Sequence, residues 1–207
     1  MTPLIITIKE NLRLKNVPPQ LMARLAEKLE FVNPKWLENE RMGRWNRGTP
    51  QSLKFYDKVG RNGLWIPRGY IRHLIDTCRR LGIDFRIDDQ RRRLEPINFS
   101  FIGRLKQFQQ ISLDKMMAKD FGTLSSATGS GKTVMALYMI AKRKQPALII
   151  VHSKELAAQW VDSIGVFLGI DPHHVGYIGG GKKIVGDRIT VSLVQSLYKC
   201  ALEVSEH

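Results

Sequence analysis

Cysteine is scarce in this 207-residue chain: Cys78 and Cys200 are the whole supply, and no third or fourth ligand gives them metal-like spacing. Two such thiols read as buried free cysteines rather than a disulfide framework. Long apolar runs are missing too. Thr2-Pro3-Leu4-Ile5-Ile6-Thr7-Ile8 is short and runs into Lys9-Glu10, so it does not read as a secretory leader. No stretch approaches the roughly 20 apolar residues of a membrane span. A cytoplasmic setting without membrane contact is therefore expected. Internal repeats are absent. Acidic residues are in deficit, with 19 Asp+Glu against 33 Lys+Arg and a net charge of +14. The Asp-Glu dipeptide occurs nowhere.

What remains is a globular composition, 43% hydrophobic and 25% charged, long enough for one large or two small domains. The basic excess favours an acidic polymer as partner, nucleic acid first, with a solvated basic surface as the alternative. The excess is uneven: residues 1–95 carry 20 Lys+Arg and 11 Asp+Glu, residues 96–207 carry 13 and 8. Residues 4–9 alternate weakly, like a strand. Pro18-Pro19 opens a helix with Leu21, Leu25, Leu29 and Val32 on one side, ended by Asn33-Pro34. Short strands are expected near 53–56 and 63–66. A helix over 67–81 places Ile71, Leu74, Ile75 and Cys78 on one face, with Gly82 as its stop. A strand follows at 83–87. The polar run Asp88 to Pro96 marks a boundary, giving domains 1–95 and 96–207.

The second part alternates strands and helices. A helix spans 132–143, a nearly continuous apolar strand 146–151 as expected of a strand buried on both faces, a helix 153–168, a glycine turn 179–181 and a strand 189–194. That order predicts a doubly wound α/β sheet, with ligands at the carboxyl ends of its strands. At its head stands Ser126-Ala127-Thr128-Gly129-Ser130-Gly131-Lys132-Thr133, between an expected strand at Phe121–Ser125 and the helix. This is the pattern of a phosphate-binding loop. Gly129 and Gly131 let the backbone turn its N–H groups inward, and the helix N-terminus favours an anion. Lys132 can reach β- and γ-phosphates, and the Thr133 hydroxyl can ligand Mg²⁺. Ser126 stands where the general pattern has glycine. The competing reading is a Gly/Ser-rich turn before a core helix.

The order of these signals resembles the first motor domain of superfamily 2 nucleic-acid helicases. Within that group it is similar to xeroderma pigmentosum B-type and phage UvsW-type repair helicases and to type III restriction-type ATPase subunits. Leu105-Lys106-Gln107-Phe108-Gln109 resembles the element upstream of the phosphate loop, with Gln107 where the family has proline. The resemblance implies that Gln109 reads the adenine edge of ATP, with Gln110 one residue away as the alternative. It also implies that Thr128, Gly129, Ser130, Gly131, Lys132 and Thr133 bind ATP and Mg²⁺. Ala147 to Trp160 resembles motif Ia, with His152 where the family has proline. Ser153 and Lys154 would then touch the nucleic-acid backbone. Trp160, at helical spacing, reads as core. Gly179-Gly180-Gly181-Lys182-Lys183, and the strand 189–194 with the turn after it that holds Gln195, resemble the next elements, which implies contacts from Gly180, Lys182, Lys183 and Gln195.

The implied fold is a RecA-like phosphate-loop sheet, an incomplete motor domain, behind a small α+β accessory domain that engages DNA. In the accessory part Arg41, Arg44, Arg47, Lys54 and Lys58 interleave with Trp36, Trp45 and Tyr56. Either this is a cationic face with stacking aromatics, or the tryptophans form a small core under solvated arginines. The family's Asp-Glu-x-His motif is missing, so these residues are expected to bind ATP and DNA without hydrolysing ATP. A C-terminal motor domain, in the same or a companion chain, is the implied partner. The alternatives are a non-motor nucleic-acid-binding protein with a vestigial phosphate loop, and a motor-subunit piece of a restriction endonuclease.

Overall fold

A leucine stripe at 21, 25 and 29 and the apolar strand at 4–8 organise the first of two units, Met1–Arg92 and Arg93–His207. The computed structural model describes residues 2–204. In the first unit β1 (Leu4–Ile8) turns into β2 (Leu12–Lys15), and α1 (Pro19–Leu29) follows with a proline at its start. Then come β3 (Glu30–Val32), α2 (Pro34–Arg41), β4 (Ser52–Lys54), β5 (Asp57–Val59), β6 (Gly63–Ile66), α3 (Ile71–Arg80) and β7 (Phe85–Asp89). Five strands form one sheet in the order β5-β6-β2-β1-β7, in which only β1 and β7 run parallel. β1 lies inside this sheet, between β2 and β7, and its burial does not alternate: Leu4, Ile6, Thr7 and Ile8 are all buried. Its apolar residues pack with Leu21 and Leu25 of α1 and Leu74 and Cys78 of α3. Gly82, just past α3, has φ +63, the left-handed stop expected of it.

The stretch 30–59 departs from expectation. The helix ends at Leu29, and Val32 sits in β3, 56% exposed. Asn33-Pro34 does not merely end a helix; it starts one. The Asn33 side chain accepts from the Lys35 N–H at 3.0 Å and Pro34 occupies the first helical turn, where its missing N–H costs nothing. β3 and β4 pair with each other outside the larger sheet.

In the second unit α4 (Gln107–Met117) precedes the phosphate-loop segment, and α5 (Lys132–Arg143) follows it. Next are β8 (Ala147–Val151), α6 (Lys154–Leu168), β9 (Gly176–Gly179), β10 (Lys182–Ile184), β11 (Ile189–Leu193) and α7 (Val194–Val204). The sheet order is β10-β9-β11-β8. β8, β11 and β9 are parallel, and β10 returns antiparallel through Gly180 and Gly181, both at positive φ. This is an α/β fold with a parallel sheet. Leu137 and Ala141 of α5 and Ala157, Ile164 and Leu168 of α6 pack with Ile149, Val151, Ile189 and Val191 of the sheet. Trp160 packs against this core, as its helical spacing predicts.

Three expectations change. β8 is not buried on both faces: Ile149 and Val151 point into the core, while Leu148 and Ile150 are 44% and 51% exposed. The run Phe121–Ser125 joins no sheet. It holds a glycine and one β-branched residue, Thr123, so its own propensity to pair is low. Both cysteines are free, but only Cys78 is buried; Cys200, on α7, is half-buried.

Candidate functional site

The phosphate-loop residues converge on the start of α5. Gly129 and Gly131 have φ +78 and +80, so the turn uses the conformations that the sequence reserves for glycine. Gly131 is the N-cap of α5, and no side chain caps the helix there, so its first-turn amides are left for an external acceptor. No carboxylate occurs between Asp120 and Glu155. The loop is thus a donor-rich, acid-free turn at a helix N-terminus, and the donor set fits a polyphosphate.

Side chains tie the loop together. The Ser126 hydroxyl bonds that of Ser130 at 2.6 Å. Lys132 Nζ donates to the carbonyls of Ser126 and Ala127, each at 2.9 Å, so the ammonium lies folded over its own loop. Thr133 follows in the first turn of α5, half-buried. Gln109 is buried and bonded at both ends of its amide. Its Oε1 accepts from the Lys106 N–H at 2.8 Å, and its Nε2 donates to the Ser130 carbonyl at 2.9 Å. A side-chain carbon added to Gly131 would lie 2.5 Å from that Nε2. Gln109 therefore fastens the start of α4 to the loop. The signal for this contact was in the sequence only as a glutamine three residues after Lys106, the spacing of a capping box.

The connection from α5 to β8 is short, so α5 runs back along the sheet and its N-terminus faces the carboxyl ends of the strands. Several nucleic-acid candidates occupy that same end. Ser153 follows β8 and caps α6, its Oγ accepting from the Leu156 N–H at 3.3 Å. Glu155 in the first turn of α6 has its carboxyl held below the usual range, by its own backbone N–H first and by the Ser153 side chain second. Lys154 is exposed, and a Cβ added to Gly180, after β9, would meet its Cε only at 4.0 Å. Gln195, after β11, donates to the His152 carbonyl at 3.4 Å. Lys182, exposed, pairs with Gly179 across the hairpin. Lys183 is different: its Nζ is engaged by Glu203 in an ion pair. A cleft of about 870 Å³ among Leu94, Pro146, Leu148, Asp187 and Glu203 lies toward the amino ends of β8 and β11 and holds none of the phosphate-loop residues.

Arg41, Arg44 and Arg47 lie in the first unit, at the end of α2 and in the loop after it, all exposed. Of the aromatics interleaved with them, Trp36 and Tyr56 are half-buried, and the Tyr56 hydroxyl reaches Glu30 at 3.5 Å. Trp45 is 85% exposed. The sequence left a stacking face and a small core open; the two half-buried rings and the one exposed ring divide between them.

Known proteins share the fold and part of the sequence. The model of the type III restriction enzyme, res subunit, matches residues 97–207. A Rad25 protein of Halobacterium salinarum is 27% identical over 132 residues, 64% of this chain and 22% of that protein. The DNA 3′-5′ translocase XPB2 of Sulfurisphaera tokodaii is 33% identical over 100 residues, 48% of this chain and 22% of its own length. The chain thus spans about a fifth of the length of these curated relatives. The crystal structure of the UvsW helicase from bacteriophage T4 superposes with a TM-score of 0.63 at 14% identity, over 96% of this chain and 77% of that one, a likeness of fold. No helix among the described residues is long and apolar enough to cross a membrane. With more than half its length matched, the chain belongs to the family of the type III restriction enzyme res subunit, among the superfamily 2 helicases and translocases.

Proposed function

We propose that this chain is the nucleotide-binding side of an ATP-dependent DNA motor: it binds Mg²⁺–ATP at residues 126–133 and DNA through basic surfaces in both units. The observation that carries the reading is the acid-free turn of Gly129 and Gly131 at the uncapped start of α5, with Lys132 beside it. Backbone N–H groups of the turn donate to phosphate oxygens. Lys132 leaves the Ser126 and Ala127 carbonyls to neutralise the outer phosphates, and its present bonds keep it within reach of them. The Thr133 hydroxyl holds the cation, which supplies charge neutralisation between the phosphates when bound. Gln109 holds the loop in register. Its two present bonds use one lone pair of Oε1 and one hydrogen of Nε2, and the second of each is what its amide offers the adenine edge.

Residues 1–95 act as the accessory domain, with Arg41, Arg44 and Arg47 on DNA phosphates. Ser153, Lys154, Gly180, Lys182 and Gln195 contact the backbone at the carboxyl end of the sheet, and Lys183 does so only after parting from Glu203. These 207 residues hold no Asp-Glu-x-His, so they bind nucleotide without turning it over. A further motor domain completes the cleft. The bare face of β8, with Leu148 and Ile150, and Tyr198 and Leu202 of α7 at 88% and 86% exposure support a covering element.

ATP hydrolysis measured with and without single-stranded and forked DNA, beside Lys132→Ala, tests the turnover claim. The expected result is none in any arm. DNA-stimulated hydrolysis that Lys132→Ala abolishes would contradict it and place a catalytic carboxylate within these residues.

A further inference from the structure

The four tryptophans meet different surroundings. Trp36 is half-buried on α2, Trp160 packs against the core of the second unit, and Trp65 lies beneath the Arg13 guanidinium at 5.0 Å. Trp45 alone is open, 85% exposed and with no ring or cation contact among the described residues. A single exposed apolar residue is ordinary on a loose loop. This loop is fastened.

The fastening runs through asparagines. The Arg44 N–H donates to the Asn39 carbonyl at 2.8 Å. Buried Asn39 donates from Nδ2 to Asn46 Oδ1 at 3.0 Å. Asn46 Nδ2 in turn donates to Glu40 Oε1 at 2.9 Å and to the Trp36 carbonyl at 3.3 Å. Trp45 therefore stands between two residues that are each bonded back to α2, and its backbone is fixed before any ligand arrives. Arg44 and Arg47 flank it, exposed and joined to no carboxylate among the described residues. Residues 34–54 hold five Lys/Arg and two Glu, so the surroundings attract an anion. An indole on a fastened stretch of backbone, with arginines one residue before and two after it in the sequence, offers a π-face at reduced ordering cost together with donors for phosphate.

We propose that Trp45 is a stacking platform for an unpaired base, with Arg44 and Arg47 on the neighbouring phosphates. The inference rests on the nucleic-acid-binding reading above and adds the substrate class: a strand with at least one base outside a duplex. Bases inside a duplex have both faces covered by their neighbours, so a solvent-exposed indole gains a stacking partner only from an unpaired one. Charge decides for nucleic acid over an apolar protein surface.

The test uses the 207-residue chain and fluorescence anisotropy, at one low salt concentration, with labelled oligothymidine and a blunt duplex. Trp45→Ala is expected to weaken oligothymidine binding about tenfold and leave duplex binding unchanged. Trp45→Phe is expected to keep most of the affinity. Because the indole stands in solvent, the melting temperature of Trp45→Ala should match the parent, which separates lost stacking from lost fold. If Trp45→Ala binds oligothymidine like the parent, or weakens both DNAs alike, the platform is overturned while DNA binding itself stands. If the parent binds neither DNA, the broader reading falls with it.

Discussion

Gln109 of α4 packs so closely on Gly131 of the loop that the space for a side chain there is already filled. Gln109→Ala removes the partners of the Lys106 N–H and the Ser130 carbonyl, and is expected to cost about 1–2 kcal/mol. Gly131→Ala meets two penalties. The left-handed backbone disfavours any Cβ by about 1–2 kcal/mol, and the new carbon displaces Gln109 Nε2. The second penalty vanishes once Gln109 is alanine. Denaturant unfolding of both single variants and the double should therefore show a double-mutant cost below the sum of the singles; additive costs would mean the two residues do not share the contact. The glycines were legible in the sequence because a positive-φ turn before a helix has few other solutions. The use of Gln109 was not, since its contact with Ser130 bridges residues 21 apart in sequence.

At the scale of elements, regular periodicity carried well and capping chemistry carried poorly. α5 spans Lys132–Arg143 as its pattern dictates, and Leu74 and Cys78 mark the inner face of α3. Between residues 30 and 59 a strand near β4 was expected, but β3, α2 and β5 escaped, because each draws its stability from partners rather than from its own pattern. α2 depends on Asn33 and Pro34 at its start, and β3 depends on β4. The strand expected at Phe121–Ser125 failed for the complementary reason: an extended pattern without a ladder is not a strand. Glu30 is central to the β3–β4 pair. The Ser52 hydroxyl donates to it at 2.6 Å and Lys54 lies 3.6 Å away, and these hold its carboxyl below the usual range, Ser52 first. A lowered pKa in the fold stabilises above the unfolded glutamate value of about 4.3 and loses that stabilisation as pH falls through the lowered value. Melting temperatures followed from pH 6 down into the acid range should fall less steeply for Glu30→Gln than for the parent; parallel curves would remove Glu30 from the account. In the core of this unit, Leu74→Ala should cost about 2–5 kcal/mol in denaturant unfolding, and a cost well below that range would show that α3 does not seal the sheet.

On the scale of the whole molecule, the charge supports the proposed nucleic-acid partner. A net charge of +14 predicts that DNA affinity falls steeply with salt, because each phosphate contact releases counterions. Charge reversal at Arg44 and Arg47, compared with reversal at Lys154 and Lys182, should lower that salt slope in both cases. A flat salt response would exclude a backbone-tracking surface. The α/β class, the parallel strands and the place of the phosphate loop were readable from the alternation of apolar strand and amphipathic helix. The pairing order β10-β9-β11-β8 was not, because strand order is set by three-dimensional packing that one-dimensional periodicity does not encode.

Calorimetric titration of Mg²⁺–ATP into the parent chain and into Lys132→Ala asks whether residues 126–133 bind a nucleotide. The account predicts saturable binding to the parent that is lost or strongly weakened in the variant. Equal affinity in the two proteins, or no binding to the parent at all, would contradict it.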